Sequence, residues 1–545
     1  PPVPPAAPFP PPPPFPLRGA PWGPGGGADR REGVPAGDGL RGVLGMHETV
    51  CTGAADAYGR MTGRPALTLL HLGVGLANGV ANLHNARRAG SPVVNVVGDM
   101  ASWHVGSDAP LVMDIEGVAR TVSSWVRTSK SAAGVAQDMA EAVASAESCP
   151  REGGRVSTLI VPHDFQWSSP DGGVGAEASG GGRGNAPAGA TGAGAALEPA
   201  AESFIRECAA KLKAAPRGKA AFFLGGRALV NDEGALDALG RASAATGAPL
   251  FCENAFPRID RGVGRPKIQR LAYFPQDAVR ELSKYEMVVC VDAKPPVAMF
   301  GYDGGPTDIL KLPEDSVWEI DFEVPASVAL LSKEVGGAGV VPGRNCMGCF
   351  HTAPARPAMP APDSKLSPPA LCNLIAHLQP ENAIIVDESL TSGGHYFKAS
   401  ENCPPFSHLT LTGGAIGCGP PMAVGAAVAC PGRRVINFQA DGSGLYSAQA
   451  LWTQARENLD VVTVVCNNST YAILKIELTK QGLGGKAGGA NAKRLTELGS
   501  PKIDWVALGR GYGVPSSQAT TVRAFADQMR AALARAGPSL IEVLL

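Results

Sequence analysis

Short apolar runs, each followed by a helix-forming stretch, recur along this chain and restrict it to one kind of architecture. The runs are Ala66–Leu70, Val93–Val97, Thr158–Val161, Ala220–Leu224, Met287–Val291, Ala383–Val386, Val435–Phe438 and Val461–Cys466. Helical stretches lie between them, among them Val135–Ala146, Leu236–Thr246 and Val522–Ala534. Strands that are apolar on both faces must be covered on both faces, and intervening helices do the covering. The pattern predicts an α/β chain of doubly wound parallel sheets. In such sheets ligands sit beyond the carboxyl ends of the strands, so the chemistry is to be sought just after each run.

Three biased segments divide the chain. Eleven of the first 16 residues are proline, and residues 17–38 continue in Gly, Pro, Ala and Arg. Such a stretch offers too little apolar surface to offset its ordering entropy, so 1–38 is expected to be disordered. Residues 168–197, rich in Gly, Ala and Ser, read as a flexible linker, and 352–369, rich in Pro and Ala, as a second one. The bodies left are 39–167, 198–351 and 370–545, each a plausible domain size.

Opposite charges nearly cancel, 48 basic against 49 acidic residues, so the chain lacks the footprint of a nucleic-acid or membrane-surface binder. No apolar run approaches the roughly 18 residues of a membrane span. Twelve cysteines without framework spacing suggest reduced thiols in a reducing compartment, cytoplasm or organelle matrix. Cys346 and Cys349, with His351 nearby, have metal-like spacing, but a single such pair is weak grounds for a zinc site.

The strand Val435–Phe438 runs into Gln439-Ala440-Asp441-Gly442-Ser443-Gly444, and a helical stretch, Ser447–Arg456, follows. The strand Val461–Cys466 then runs into Asn467-Asn468-Ser469-Thr470-Tyr471. A right-handed crossover places both strand ends on one edge, so Asp441 and Asn468 should converge. One carboxylate, one amide oxygen and a main-chain carbonyl suit Mg²⁺, which completes its shell with phosphates and water. Gly442 and Gly444 let phosphates approach the backbone. Taken singly, Asp-Gly and Asn-Asn are common turn dipeptides, and the pairing is what favours a site.

Asp441-Gly442, the helix and Asn467-Asn468 resemble the signature of thiamine-diphosphate (ThDP) enzymes, with Ala440 where the common form has Gly. The stretch from Ala440 to Ala455 is similar to acetolactate synthases and benzoylformate decarboxylases. The resemblance implies that Asp441, Asn468 and the Thr470 carbonyl bind Mg²⁺, and that Gly442 and Ser443 lie against the cofactor. It implies three domains, pyrimidine-binding, middle and diphosphate-binding, the first lacking its initial strand and helix because 1–38 stands in their place.

His47-Glu48, followed by Ala54-Ala55-Asp56-Ala57-Tyr58-Gly59-Arg60, is similar to the family's pyrimidine-binding domain. There the glutamate bonds the pyrimidine ring and promotes its imino form, a role implied for Glu48. His71, in His71-Leu72-Gly73-Val74-Gly75, resembles the active-site histidine of benzoylformate decarboxylase and is a candidate for proton transfer. A satisfied core histidine is an equal reading. His84, in Asn82-Leu83-His84-Asn85-Ala86-Arg87-Arg88, reads as a helical residue that packs.

Leu411-Thr412-Gly413-Gly414-Ala415-Ile416-Gly417 resembles the loop that shapes the bound cofactor. By that match the Gly414 carbonyl accepts from the pyrimidine amine and Ile416 wedges under the ring. Ser389 and Thr391, in Asp387-Glu388-Ser389-Leu390-Thr391, are candidates for the diphosphate, and Tyr471, Leu474 and Glu477 for the pocket entrance. Gly225-Gly226-Arg227 and Val263-Gly264-Arg265 could meet a nucleotide diphosphate, but without a distinctive flavin signature FAD is a weak expectation.

The resemblance implies an acetolactate synthase-like enzyme that decarboxylates a 2-oxo acid and ligates or protonates the product. The alternatives are an aryl 2-oxo acid decarboxylase of benzoylformate type, resting mainly on His71, and a non-catalytic ThDP-binding homologue. A homodimer is the implied minimum, with sites between subunits, and tetramers are common.

Overall fold

Every apolar run of the sequence is a strand in the computed structural model, and every one has a parallel neighbour. The structure describes residues 40–148, 155–167, 197–341, 348–351, 355–483 and 489–545. Segment 1–38, all but the last residue of the 168–197 linker, and Cys346 lie outside the described residues.

The described strands are β1 (Ala66–Leu70), β2 (Val93–Asp99), β3 (Trp125–Thr128), β4 (Val156–Pro162), β5 (Ala220–Leu224), β6 (Leu250–Cys252), β7 (Arg258–Arg261), β8 (Ile268–Arg270), β9 (Met287–Val291), β10 (Val317–Ile320), β11 (Ile384–Glu388), β12 (Phe406–Thr410), β13 (Val435–Ala440), β14 (Val461–Asn467), β15 (Ser516–Ala519) and β16 (Ser539–Leu544). They form three sheets, ordered β1-β2-β4-β3, β10-β9-β5-β6-β8 and β15-β16-β14-β13-β11-β12-β7. All pairings are parallel except that of β7 with β12. β7 falls in the stretch expected for the middle body, yet it closes the edge of the last sheet.

The order β14-β13-β11 explains why the last body can carry a site. Ala440 pairs with Cys466, so the two strands end side by side and the loops after them face one another. In the first sheet β1 lies at the edge, and its Leu67 and Leu69 are 50% and 76% exposed, an open apolar face.

The first body places its candidate residues on two helices, α1 (Glu48–Thr62) and α2 (Leu72–Ala89). The His47 side chain caps α1 by accepting from the Thr49 amide, and Gly63, with φ 69°, ends it in the left-handed turn that glycine takes without strain. α1 is rich in small residues because it packs tightly on the helix Gly419–Ala429. A Cβ on Gly425 would overlap the Ala54 carbonyl.

A buried ion pair locks this contact. Arg60 bonds Asp56, and both side chains are almost fully buried. The guanidinium also donates to the Thr410 carbonyl at 2.7 Å, the Pro257 carbonyl at 3.1 Å and the Thr412 hydroxyl at 3.1 Å, while Ser91 donates to Asp56. One side chain thus touches all three bodies. Replacing it strands a buried carboxylate, which typically costs about 3–5 kcal/mol. Arg60→Met is therefore expected to lower unfolding free energy by about 3–5 kcal/mol in denaturant titration. A loss below about 1 kcal/mol would show that the pair does not lock the contact.

Candidate functional site

Asp441 opens a short helical turn straight after β13, and the Asn468–Tyr471 loop leaves β14 beside it. The Asp441 carboxylate accepts from the Ser469 amide at 2.8 Å and from the Gly442 amide at 3.0 Å. Asn468 Oδ1 accepts from the Thr470 amide at 3.0 Å, and Ser469 sits in the left-handed region at φ 54°. The two loops expected to converge do so. An added Cβ on Gly442 would lie 2.6 Å from the Tyr471 ring, so a side chain there would have to displace that ring.

The electrostatics favour a cation. Asp441 is 2% exposed, and among the described residues no Lys, Arg or His pairs with it. Burial raises its pKa, and the charge of Glu542, itself buried, pushes in the same direction. The Thr470 carbonyl has no hydrogen-bond partner among the described residues. A buried uncompensated carboxylate, an amide oxygen and a free carbonyl make a hard oxygen donor set of the kind Mg²⁺ takes. The residues present fit the ion.

The other candidates of the last body surround these loops to different depths. Ser443 is buried, and its hydroxyl lies 2.7 Å from Gln439 Nε2, as that amide's acceptor. Ser389 is buried and donates to Asp387, whereas Thr391 is half-buried in the turn above it. Gly414 is exposed at φ 77°, and Ile416 is half-buried in the same loop. Tyr471 is half-buried with its ring beside Gly442, and burial raises its pKa.

On the first body, Glu48 begins α1 and accepts from Asn78 at 3.1 Å. Gly75 leaves space beside it, since a Cβ there would lie 3.1 Å from Glu48 Oε1 and 3.4 Å from the His71 Cβ. Glu48 and His71 therefore share one lip. His71 is exposed, and the next residue, Leu72, is buried at φ 57°, a strained conformation for leucine. Strain of that kind clusters at functional turns. Among the described residues no hydrogen bond joins Glu48 or His71 to Asp441, Asn468 or Gly414. Glu48 and His71 form one lip, and Asp441, Asn468 and Gly414 form another.

The structure adds residues that sequence reasoning passed over. Glu388 is fully buried and accepts from the Gly417 amide at 2.5 Å, the Gly419 amide at 2.7 Å and Gln439 at 3.1 Å. It anchors the far end of the glycine-rich loop, although burial pushes its pKa up. Asp387 also suffers from burial, but bonds from His408 and Ser389 and the field of Arg270 hold its carboxyl below the usual range. In the middle body, the Arg227 amide of the Gly-Gly-Arg turn is taken by Asp292 at 2.6 Å, which disfavours a diphosphate there.

Residues 392–543 match the family described as thiamine pyrophosphate enzyme, C-terminal TPP binding domain, and residues 30–118 match its N-terminal TPP binding domain. A Mycobacterium tuberculosis protein with the provisional name acetolactate synthase large subunit IlvX is 42% identical over 507 residues, covering 93% of this chain and 92% of its own length. Benzoylformate decarboxylase of Pseudomonas aeruginosa is 27% identical over 539 residues, with 92% of each chain covered. The solved structure of the Rhodococcus jostii RHA1 thiamine diphosphate-dependent 4-hydroxybenzoylformate decarboxylase shares the fold, with a TM-score of 0.74 at 23% identity over 92% of this chain and 91% of that one. No described helix is long and apolar enough to cross a membrane.

Proposed function

The chain belongs to the thiamine pyrophosphate enzyme family, and on that premise we propose that it is a ThDP- and Mg²⁺-dependent enzyme of acetolactate synthase type. It would remove CO₂ from a 2-oxo acid and then join the acyl remnant to a second carbonyl compound or protonate it. The observation that carries this reading is the buried, uncompensated Asp441 facing the Asn468–Thr470 loop. When bound, ThDP supplies the electron sink for the carbanion left by CO₂.

The chain's own residues would divide the work. Asp441, Asn468 and the Thr470 carbonyl would hold Mg²⁺, which would supply positive charge for the diphosphate. Thr391, with Ser389 beneath it, shapes the diphosphate end, and Gly442 and Ser443 shape the turn beside the metal. The Gly414 carbonyl accepts from the pyrimidine amine, Ile416 supports the ring, and Tyr471 borders the entrance. Glu48 holds a proton at the pyrimidine nitrogen. His71 would move a proton to or from the substrate.

Glu48 lies on a different lip from Asp441, so we assign closure of the site to a second copy of the chain. Exposed apolar residues support this at both lips, Met46 and Leu69 at one, Tyr446 and Leu474 at the other. A second reading, an aryl 2-oxo acid decarboxylase, is favoured by the exposed His71 on its strained turn.

The purified chain with ThDP and Mg²⁺ is expected to release CO₂ from pyruvate, and benzoylformate offered separately decides between the readings. Preference for benzoylformate would move the assignment to the second. Tight ThDP binding with no CO₂ from a broad set of 2-oxo acids would sink both and leave a non-catalytic binder.

A further inference from the structure

The loop that would present the Gly414 carbonyl is held by a side chain outside both lips. Asn85, on α2, is fully buried. Its Oδ1 accepts from the Gly413 amide at 3.1 Å and from the Ala415 amide at 3.2 Å. Its Nδ2 donates to the Ala415 carbonyl at 2.8 Å and to Asn82 Oδ1 at 3.1 Å. Two donor hydrogens and two lone pairs are all used, which is the full capacity of an amide. The neighbouring His84 ring lies against Gly413, close to its carbonyl.

The Asn85 bonds fix three peptide planes, 412–413, 414–415 and 415–416. The plane between Gly414 and Ala415 decides the outcome. A peptide is planar and trans, so its carbonyl points opposite to its N–H. With the Ala415 N–H fastened to Asn85, the Gly414 carbonyl must point away from α2. Among the described residues nothing bonds it. A glycine at φ 77° beside a second glycine would otherwise allow this peptide to flip.

We propose that Asn85, with His84 beside it, is a positioning pair that aims the Gly414 carbonyl outward to receive an aminopyrimidine. The proposal rests on the ThDP reading and deepens it. Asn85 touches no cofactor and acts through the loop. Asn82 in turn donates to the Thr49 carbonyl and hydroxyl, one residue after Glu48, so the clamp is anchored on the start of α1.

Two probes separate positioning from general damage. ThDP carries the aminopyrimidine, whereas inorganic diphosphate carries only the metal-held part. With Mg²⁺ present, calorimetry on Asn85→Ala is expected to show ThDP affinity reduced roughly 10- to 100-fold and diphosphate affinity unchanged. Should that variant fail to fold, His84, at the surface end of the pair, serves instead. His84→Phe is expected to weaken ThDP several-fold, while His84→Gln, which keeps an N–H donor, retains it.

Equal losses for both probes, or ThDP affinity unchanged in Asn85→Ala and His84→Phe, would overturn the proposal and leave the ThDP reading standing. A wild-type chain that takes diphosphate but not ThDP would instead overturn the ThDP reading, and the proposal with it.

Discussion

Glu48→Gln is expected to lower kcat by roughly 10²- to 10⁴-fold, the span that one general acid or base contributes. The substitution keeps size and shape, and an amide oxygen can still accept from Asn78. What it removes is the negative charge and the ability to exchange a proton. ThDP binding should survive, because Asp441, Asn468 and the glycine-rich loop lie on the other lip. The measurement is kcat at saturating ThDP and Mg²⁺, with the ThDP dissociation constant beside it. A kcat within about threefold of wild type would remove Glu48 from the chemistry, since no general acid–base role is that small.

Asp441→Asn is expected to abolish Mg²⁺-dependent ThDP binding while changing the stability of the unliganded protein little, because relief of the buried charge offsets the one main-chain bond that the amide NH2 cannot accept. Burial raises the pKa of Asp441, so the folded state holds its proton more tightly than the unfolded chain does. For such a group stability is highest below the unfolded value and is lost as pH rises through the folded one. At neutral pH the charged carboxylate therefore opposes folding, and the neutral amide escapes that cost. The cation relieves it in the wild type. By the same linkage, Mg²⁺ affinity should weaken as pH falls through the raised pKa, because a protonated carboxyl is a poor ligand. Thermal melts with and without Mg²⁺ and ThDP read both effects. A ligand-induced rise in Tm equal to that of wild type would exclude Asp441 as a ligand.

The legible parts of the chain were those whose signal is local. Eight apolar runs announced strands because a strand covered on both faces has nowhere to place polar side chains, although one face of β1 lies open. Asp441 and Asn468 were legible because each directly follows such a run and their strands are neighbours. β7 and β12 escaped notice because they carry Arg258, Arg261, Ser407 and His408. Their polarity is neutralised by partners that lie mostly elsewhere in the chain, Asp232 and, within β7 itself, Asp260 for Arg258, the Phe397 ring for Arg261 and Asp387 for His408. Glu388 and Asn85 escaped for a related reason. Their partners are main-chain groups about 30 and 330 residues away, and a backbone amide leaves no mark in the sequence.

The antiparallel seam between β7 and β12 also imposes an order on synthesis. Arg261 and His408 stand 147 residues apart in the chain, and their strands pair across that gap. At roughly 5–20 residues per second, β7 leaves the ribosome about 7–30 s before its partner exists. During that interval the nascent chain carries an unmated strand whose backbone groups can recruit a stranger, such as the same strand of a neighbouring polysome. Arg258, Asp260 and Arg261 make that waiting strand charged rather than apolar, and a charged edge discourages such pairing until β12 arrives.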